Sequence, residues 1–131
     1  MLYTKSIFTM PRRSDGVRIS VMSRHTLSDG VTPDSKITSS QYGEWSQVLA
    51  PSGKLVGGHY KKELSWTEFE KAYESYLEQP KVADEVKRLA KRAFKKDITL
   101  LCVEEVGEPC HRRILAKKCQ MYVPDLVVVH F

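Results

Sequence analysis

Apolar residues fall along this chain in two rhythms. From residue 17 to 24 they alternate with polar ones. Val17, Ile19 and Val21 share one side and Arg18 and Ser20 the other, the period of a strand. Residues 98–103 are almost continuously apolar and partly β-branched, as in a central parallel strand buried on both faces. Residues 126–130 repeat that composition and predict a last buried strand, and residues 6–10 predict a first strand stopped by Pro11. The stretches between carry helical spacing. Val82, Val86, Leu89, Ala90, Ala93 and Phe94 recur every three or four residues after Pro80, a residue suited to a helix's first turn. Trp66, Phe69, Tyr73, Tyr76 and Leu77 line one face of the helix before it. That helix starts at a capping box of Ser65 and Glu68, with Leu64 and Phe69 spaced as a hydrophobic staple. A weaker helix is expected over 54–62, capped by Ser52 and thinned by Gly57 and Gly58. A last helix runs from 109 to about 122, with Ile114, Leu115, Cys119 and Tyr122 inward, until Pro124 ends it.

Strands separated by helices imply right-handed crossovers and parallel pairing. The expected fold is therefore α/β: a three-layer sandwich with a mostly parallel sheet of about four strands and helices on both faces. A chain of 131 residues favours one domain over 1–131. Residues 25–46, rich in Ser, Thr, Asp and Gly, form a connection too long to be ordinary, and Trp45 near its end is expected to anchor it.

Composition narrows the setting. Three cysteines, an odd number, argue against a secreted disulfide framework. No apolar run approaches the roughly 20 residues that cross a bilayer, and residues 1–10 do not read as a signal peptide. A cytoplasmic protein without membrane contact is expected. The formal net charge is +5. Much of it lies on the helix from 80 onward, at Lys81, Lys87, Arg88, Lys91, Arg92, Lys95 and Lys96, where it reads first as a solvated face.

The chemistry concentrates at Cys110-His111-Arg112-Arg113, where a strand, a short loop and a helix start follow one another. A helix N-terminus concentrates positive potential, which suits an anion or an activated thiolate. Cys110 is the candidate nucleophile and His111 the candidate proton shuttle. Arg112, Arg113, Arg18 and Arg24 are candidate ligands for a phosphate or carboxylate, and Glu104 for a ribose or sugar hydroxyl. The placement rests on a rule of open parallel sheets: ligands bind beyond the carboxyl ends of the strands. His59 with Tyr60 is a weaker candidate to overlook the same place. Cys102, Cys110, His111 and Cys119 together offer up to four metal ligands. Their spacing lacks the Cys-x-x-Cys pairing of structural zinc sites, and Cys119 falls on a core face, so neither metal nor cofactor is expected.

Several segments, in order, carry a family resemblance. They are Ser14-Asp15-Gly16-x-Arg18, Trp45 with Leu49-Ala50-Pro51-Ser52 and Leu55, Trp66-x-x-Phe69 with Tyr73, Thr99-Leu100-Leu101-Cys102, and Cys110-His111-Arg112 with Leu115-Ala116. Together they resemble the domain-of-unknown-function 488 family over nearly the whole chain. The resemblance implies a compact α/β domain and no established activity. Where family members often carry Arg followed by Leu-Trp-Pro-Arg-Gly, this chain reads Arg24-His25-Thr26-Leu27-Ser28-Asp29-Gly30, matching at Arg24 and the glycine. Two functions are weighed. The leading one is a site for an anionic, nucleotide-like small molecule, with thiol chemistry if the protein is an enzyme. The alternative is a basic module that binds nucleic acid or protein without catalysis.

Overall fold

Five strands, all parallel, form one sheet in the computed structural model. They are β1 (Leu2–Ser6), β2 (Val17–Ser20), β3 (Glu44–Trp45), β4 (Ile98–Cys102) and β5 (Val128–His130), in the order β3-β2-β4-β1-β5. Among the described residues four α-helices accompany them: α1 (Gly53–Tyr60), α2 (Trp66–Leu77), α3 (Pro80–Lys95) and α4 (His111–Tyr122). The structure describes residues 1–27, 29, 31–60, 64–103 and 110–131, and of His59 and Tyr60 the backbone alone.

The strands sort their side chains as the pleat demands. Leu2, Ile19, Ile98 and Leu100 project into the main core, where they meet Phe69, Tyr73 and Leu77 of α2, Val86, Leu89 and Ala93 of α3, and Leu115 and Cys119 of α4. β4 lies in mid-sheet and is buried at all five positions, as its unbroken apolar run predicts. α2 begins as expected: the Ser65 hydroxyl accepts from the Glu68 amide at 3.2 Å, and the Glu68 carboxylate closes the capping box. Ser52 likewise caps α1 by accepting from the Leu55 amide at 3.1 Å. Tyr73, fully buried, donates its hydroxyl to the Leu49 carbonyl and so ties α2 to the chain before α1.

The opposite side of the sheet holds a buried ionic cluster. Asp15 sits in a 3-10 turn (Arg13–Asp15) and is 1% exposed. Its carboxylate takes Lys5 Nζ of β1 at 2.5 Å and Arg18 Nη1 of β2 at 2.8 Å, and the Arg12 amide donates to it at 3.0 Å. Its carbonyl accepts from the Thr99 hydroxyl of β4 at 2.7 Å. Arg18 also donates from Nε to the Gln41 carbonyl and from Nη2 to the Thr9 carbonyl. The loop that leads to β3 is thereby fastened over this face. Gly16 makes the turn possible. Its φ is +65°, and a Cβ there would lie 2.0 Å from the Asp97 carbonyl oxygen.

Several boundaries differ from expectation. The first strand lies at Leu2–Ser6 rather than 6–10, because Leu2, Thr4 and Ser6 alternate into buried positions while Phe8 and Met10 stand exposed. Both sides of β2 are buried beyond Val17, so its alternation marks two different interiors rather than core against water. β3 adds a fifth strand within the 25–46 connection. Trp45 anchors that connection by donating Nε1 to the Met22 carbonyl at 2.7 Å and stacking on His25, although it remains 39% exposed. The last strand is a half-buried edge rather than a buried one, because β5 pairs on one side alone. Phe94 and Tyr122, expected inward, are 56% and 38% exposed. No helix among the described residues is long and apolar enough to cross a membrane.

The Asp15 cluster predicts a measurable penalty. Burial pushes the Asp15 carboxyl up, but the Lys5, Arg12 and Arg18 donors outweigh it and hold the group below its ordinary range. Asp15→Asn leaves the buried Arg18 and the partly buried Lys5 short of their partner and is expected to cost about 3–5 kcal/mol in urea unfolding at pH 7. Because the folded carboxyl titrates below the unfolded one, its contribution is complete above the unfolded value near 3.9 and fades as pH falls toward the folded value. The gap between wild type and variant should therefore narrow below about pH 4. A gap of equal size at pH 7 and pH 3 contradicts the assignment.

Candidate functional site

Parallel pairing brings three strand ends level. The Ile7 amide bonds the Cys102 carbonyl at 2.7 Å and the Val21 amide bonds the Leu101 carbonyl at 3.1 Å, so β1, β2 and β4 finish at one edge. α4 starts at this edge with Cys110 as its N-cap residue, in an extended conformation. The helix then turns His111 and Arg112 inward, at 6% and 0% exposure.

His111 has its protonation pattern set by its partner. Its Nε2 lies 2.7 Å from the Val21 carbonyl oxygen, which only accepts, so Nε2 carries the hydrogen. In the neutral ring Nδ1 then presents a lone pair. It lies 3.7 Å from Cys102 Sγ and 3.9 Å from Cys110 Sγ. The Tyr73 ring meets the imidazole edge-on at 5.6 Å between centroids and fixes its plane. The three ligand-type atoms, two sulfurs and one nitrogen, all lie within 4.8 Å of one another, and all three residues are buried.

Arg112 is the largest fully buried side chain. Its Nη1 donates to Cys110 Sγ at 3.5 Å. Its Nε and Nη2, buried and polar, have no hydrogen-bond partner among the described residues, and neither does the buried Nε of Arg113. Beside them, His130 at the end of β5 shares a 2.7 Å hydrogen bond through Nδ1 with the buried Thr4 hydroxyl. Burial lowers the His130 pKa, and the positive charges of Arg113 and Arg112 lower it further.

The other expected site residues have separate fates. Arg18 lies within the Asp15 cluster, where its guanidinium donates to Asp15 and to the Gln41 and Thr9 carbonyls. Arg24 donates from Nη2 to the Gly53 carbonyl at 3.3 Å and lies against the start of α1. Glu104, with Gly30, falls outside the described residues, as do 105–109 and the side chain of His59. Of the four residues weighed as metal ligands, the structure brings Cys102, Cys110 and His111 together, while Cys119 lies in the main core, as its helical position predicts. Cys102 ends the central strand eight positions before Cys110.

The lysine-rich face of α3 is partly engaged. Arg92 forms a two-pronged pair with Glu44, Arg88 pairs with Glu85 at 3.2 Å, and Lys87 lies over the Tyr122 ring. These contacts fit a solvated helix face that also braces β3 and α4.

The expected direction of the Cys110 titration is reversed. Burial pushes this thiol well above its ordinary value and the Cys102 thiol adds to that, while His111 pulls the other way. Cys119, enclosed by core side chains, is pushed up to about 12. All three cysteines are buried thiols outside any disulfide. Alkylation of the folded protein at pH 7 is therefore expected to be slower than that of a free model thiol at every cysteine, with Cys119 labelled only on unfolding. Timed labelling with the modified residues located by mass spectrometry checks this. Labelling of Cys110 at the rate of a free thiol contradicts it.

No curated protein and no solved structure matches the chain. A family model does, over residues 2–122, and that stretch includes every strand but the last, the Asp15 cluster and the whole of α4. The chain thus belongs to the DUF488 family, within DUF488-N3a, described as the active DUF488-N3 subclade.

Proposed function

We propose that the carboxyl edge of the sheet binds an anionic small molecule through Arg112, beside the Cys102–Cys110–His111 cluster. The observation that carries this reading is the Arg112 guanidinium, fully buried and lacking a partner for Nε and Nη2 among the described residues. An unpaired buried charge is costly, and a protein keeps one where something else compensates it. A carboxylate or phosphate fits a guanidinium in the two-pronged geometry that Nε and Nη2 offer. Arg113 and the start of α4 add positive potential from the same side.

The neighbouring groups give the site a chemical capacity. His111 Nδ1 presents a lone pair to both thiols, and Arg112 donates to the Cys110 sulfur, so a thiolate formed there has both a proton acceptor and a positive neighbour. The description of the subclade as active accords with a site that performs chemistry. In this reading Cys110 and His111 act on the bound anion while Arg112 and Arg113 hold its charge.

The test uses thermal and urea unfolding with inorganic phosphate, simple carboxylates and nucleotides as probes. A specific anion at 100 times its dissociation constant is expected to stabilise the wild type by about 2.7 kcal/mol. Arg112→Met should lose that response. It should also unfold no more easily than wild type, because an apolar chain replaces a buried charge whose Nε and Nη2 have no partner among the described residues. A variant that is several kcal/mol less stable and still responds to the anion overturns the proposal.

A further inference from the structure

The geometry points to a thiolate-rich metal site, Cys102 with Cys110 and His111, suited to zinc and lying within the anion site proposed above. It is located beside Arg112 but does not require the anion to bind. The three residues come from two elements that the fold holds in register: the end of β4 supplies Cys102, and the first residues at α4 supply Cys110 and His111. Their ligand atoms lie within 4.8 Å of one another.

The separations are close to those a metal imposes. Zinc bonds of about 2.3 Å to sulfur and about 2.0–2.1 Å to nitrogen, at tetrahedral angles, set sulfur and nitrogen about 3.5 Å apart. His111 Nδ1 lies 3.7 and 3.9 Å from the two sulfurs, so small side-chain adjustments bring all three onto one ion. The imidazole is oriented as metal-binding imidazoles are. One nitrogen donates to a backbone carbonyl, that of Val21 at 2.7 Å, and this aims the other at the two sulfurs. Tyr73, edge-on to the ring, holds that orientation.

Charge also balances. Two thiolates and a divalent ion sum to zero, so a loaded cluster can lie in this buried place without a net charge, and the soft ligand set favours zinc over magnesium or calcium. Arg112 Nη1, 3.5 Å from Cys110 Sγ, is placed to hydrogen-bond a metal-bound sulfur. Three protein ligands leave one coordination position open, as in catalytic rather than structural zinc sites. Arg112 Nε and Nη2 are the adjoining donors for an anion in that position.

The test is cobalt binding to reduced, chelator-treated full-length protein in phosphate-free buffer. One cobalt per chain is expected, with thiolate-to-cobalt charge-transfer absorption and the intense visible bands of a tetrahedral ion. Cys102→Ser should lose about half of the charge-transfer intensity, one of two thiolate ligands being gone. Cys119→Ala should leave the spectrum unchanged. If Cys102→Ser does not fold, X-ray absorption on zinc-loaded wild type replaces it, with two sulfurs expected near 2.3 Å and a nitrogen near about 2.0 Å. No charge-transfer band in the folded wild type, a spectrum indifferent to Cys102→Ser, or a zinc shell of nitrogen and oxygen alone overturns the inference. The anion reading is judged separately, by the phosphate response of metal-free protein and its loss in Arg112→Met.

Discussion

Asp15 joins three strands through one residue: its carboxylate holds Lys5 of β1 and Arg18 of β2, and its carbonyl holds the Thr99 hydroxyl of β4. Burying charges is worthwhile only where each has a partner in good geometry, so this cluster tolerates little displacement of any strand. It therefore helps fix the relative positions of β1, β2 and β4. The strand ends are level as a consequence, and Ile7, Val21 and Cys102 meet at one edge. Everything at the candidate site, from the Val21 carbonyl that orients His111 to the Cys102 thiol beside it, depends on that alignment.

Two buried arginines are partnered in different ways. Arg18, 6% exposed, has a carboxylate and two backbone carbonyls around its guanidinium. Arg112, 0% exposed, has a sulfur at one nitrogen and two further nitrogens with no partner among the described residues. The same side chain is satisfied by the fold in one place, and in the other the proposed reading gives it to an anion. Functional sites commonly carry such local deficits, sustained by a scaffold that is otherwise consistent. Here the consistent scaffold is the main core of α2, α3 and α4 on the sheet.

Much of this was legible in the sequence, and the failures have physical causes. β4, the α2 capping box and the apolar stripe of α3 followed from periodicity because each buries one continuous surface. β1 was displaced because Phe8 and Met10 are apolar yet exposed, so composition alone put the strand too late. β3 escaped because two residues pair, too few for a period to register. At the site, Cys110, His111 and Arg112 were visible as a run of reactive types at a helix start. The sign of the Cys110 titration was not, because neighbouring arginines are apparent in sequence whereas burial is a property of the folded chain. The pairing of Arg18 escaped for a related reason: its partner Asp15 lies three residues away across a turn whose shape depends on Gly16. Cys102, Cys110, His111 and Cys119 were visible as one set of ligand types, but that three of them meet required knowing which strand end faces which helix.

The central claim is that Arg112 is a buried cation held for an external anion. The most direct measurement follows the Nε–H nuclear magnetic resonance signal of Arg112 during titration of the metal-free protein with inorganic phosphate, with Arg112→Met identifying the signal. The account predicts a saturable shift of this resonance, with the Arg18 Nε–H signal, already donated to the Gln41 carbonyl, unchanged. An Arg112 signal that stays still across a series of phosphate, carboxylate and nucleotide titrations contradicts it.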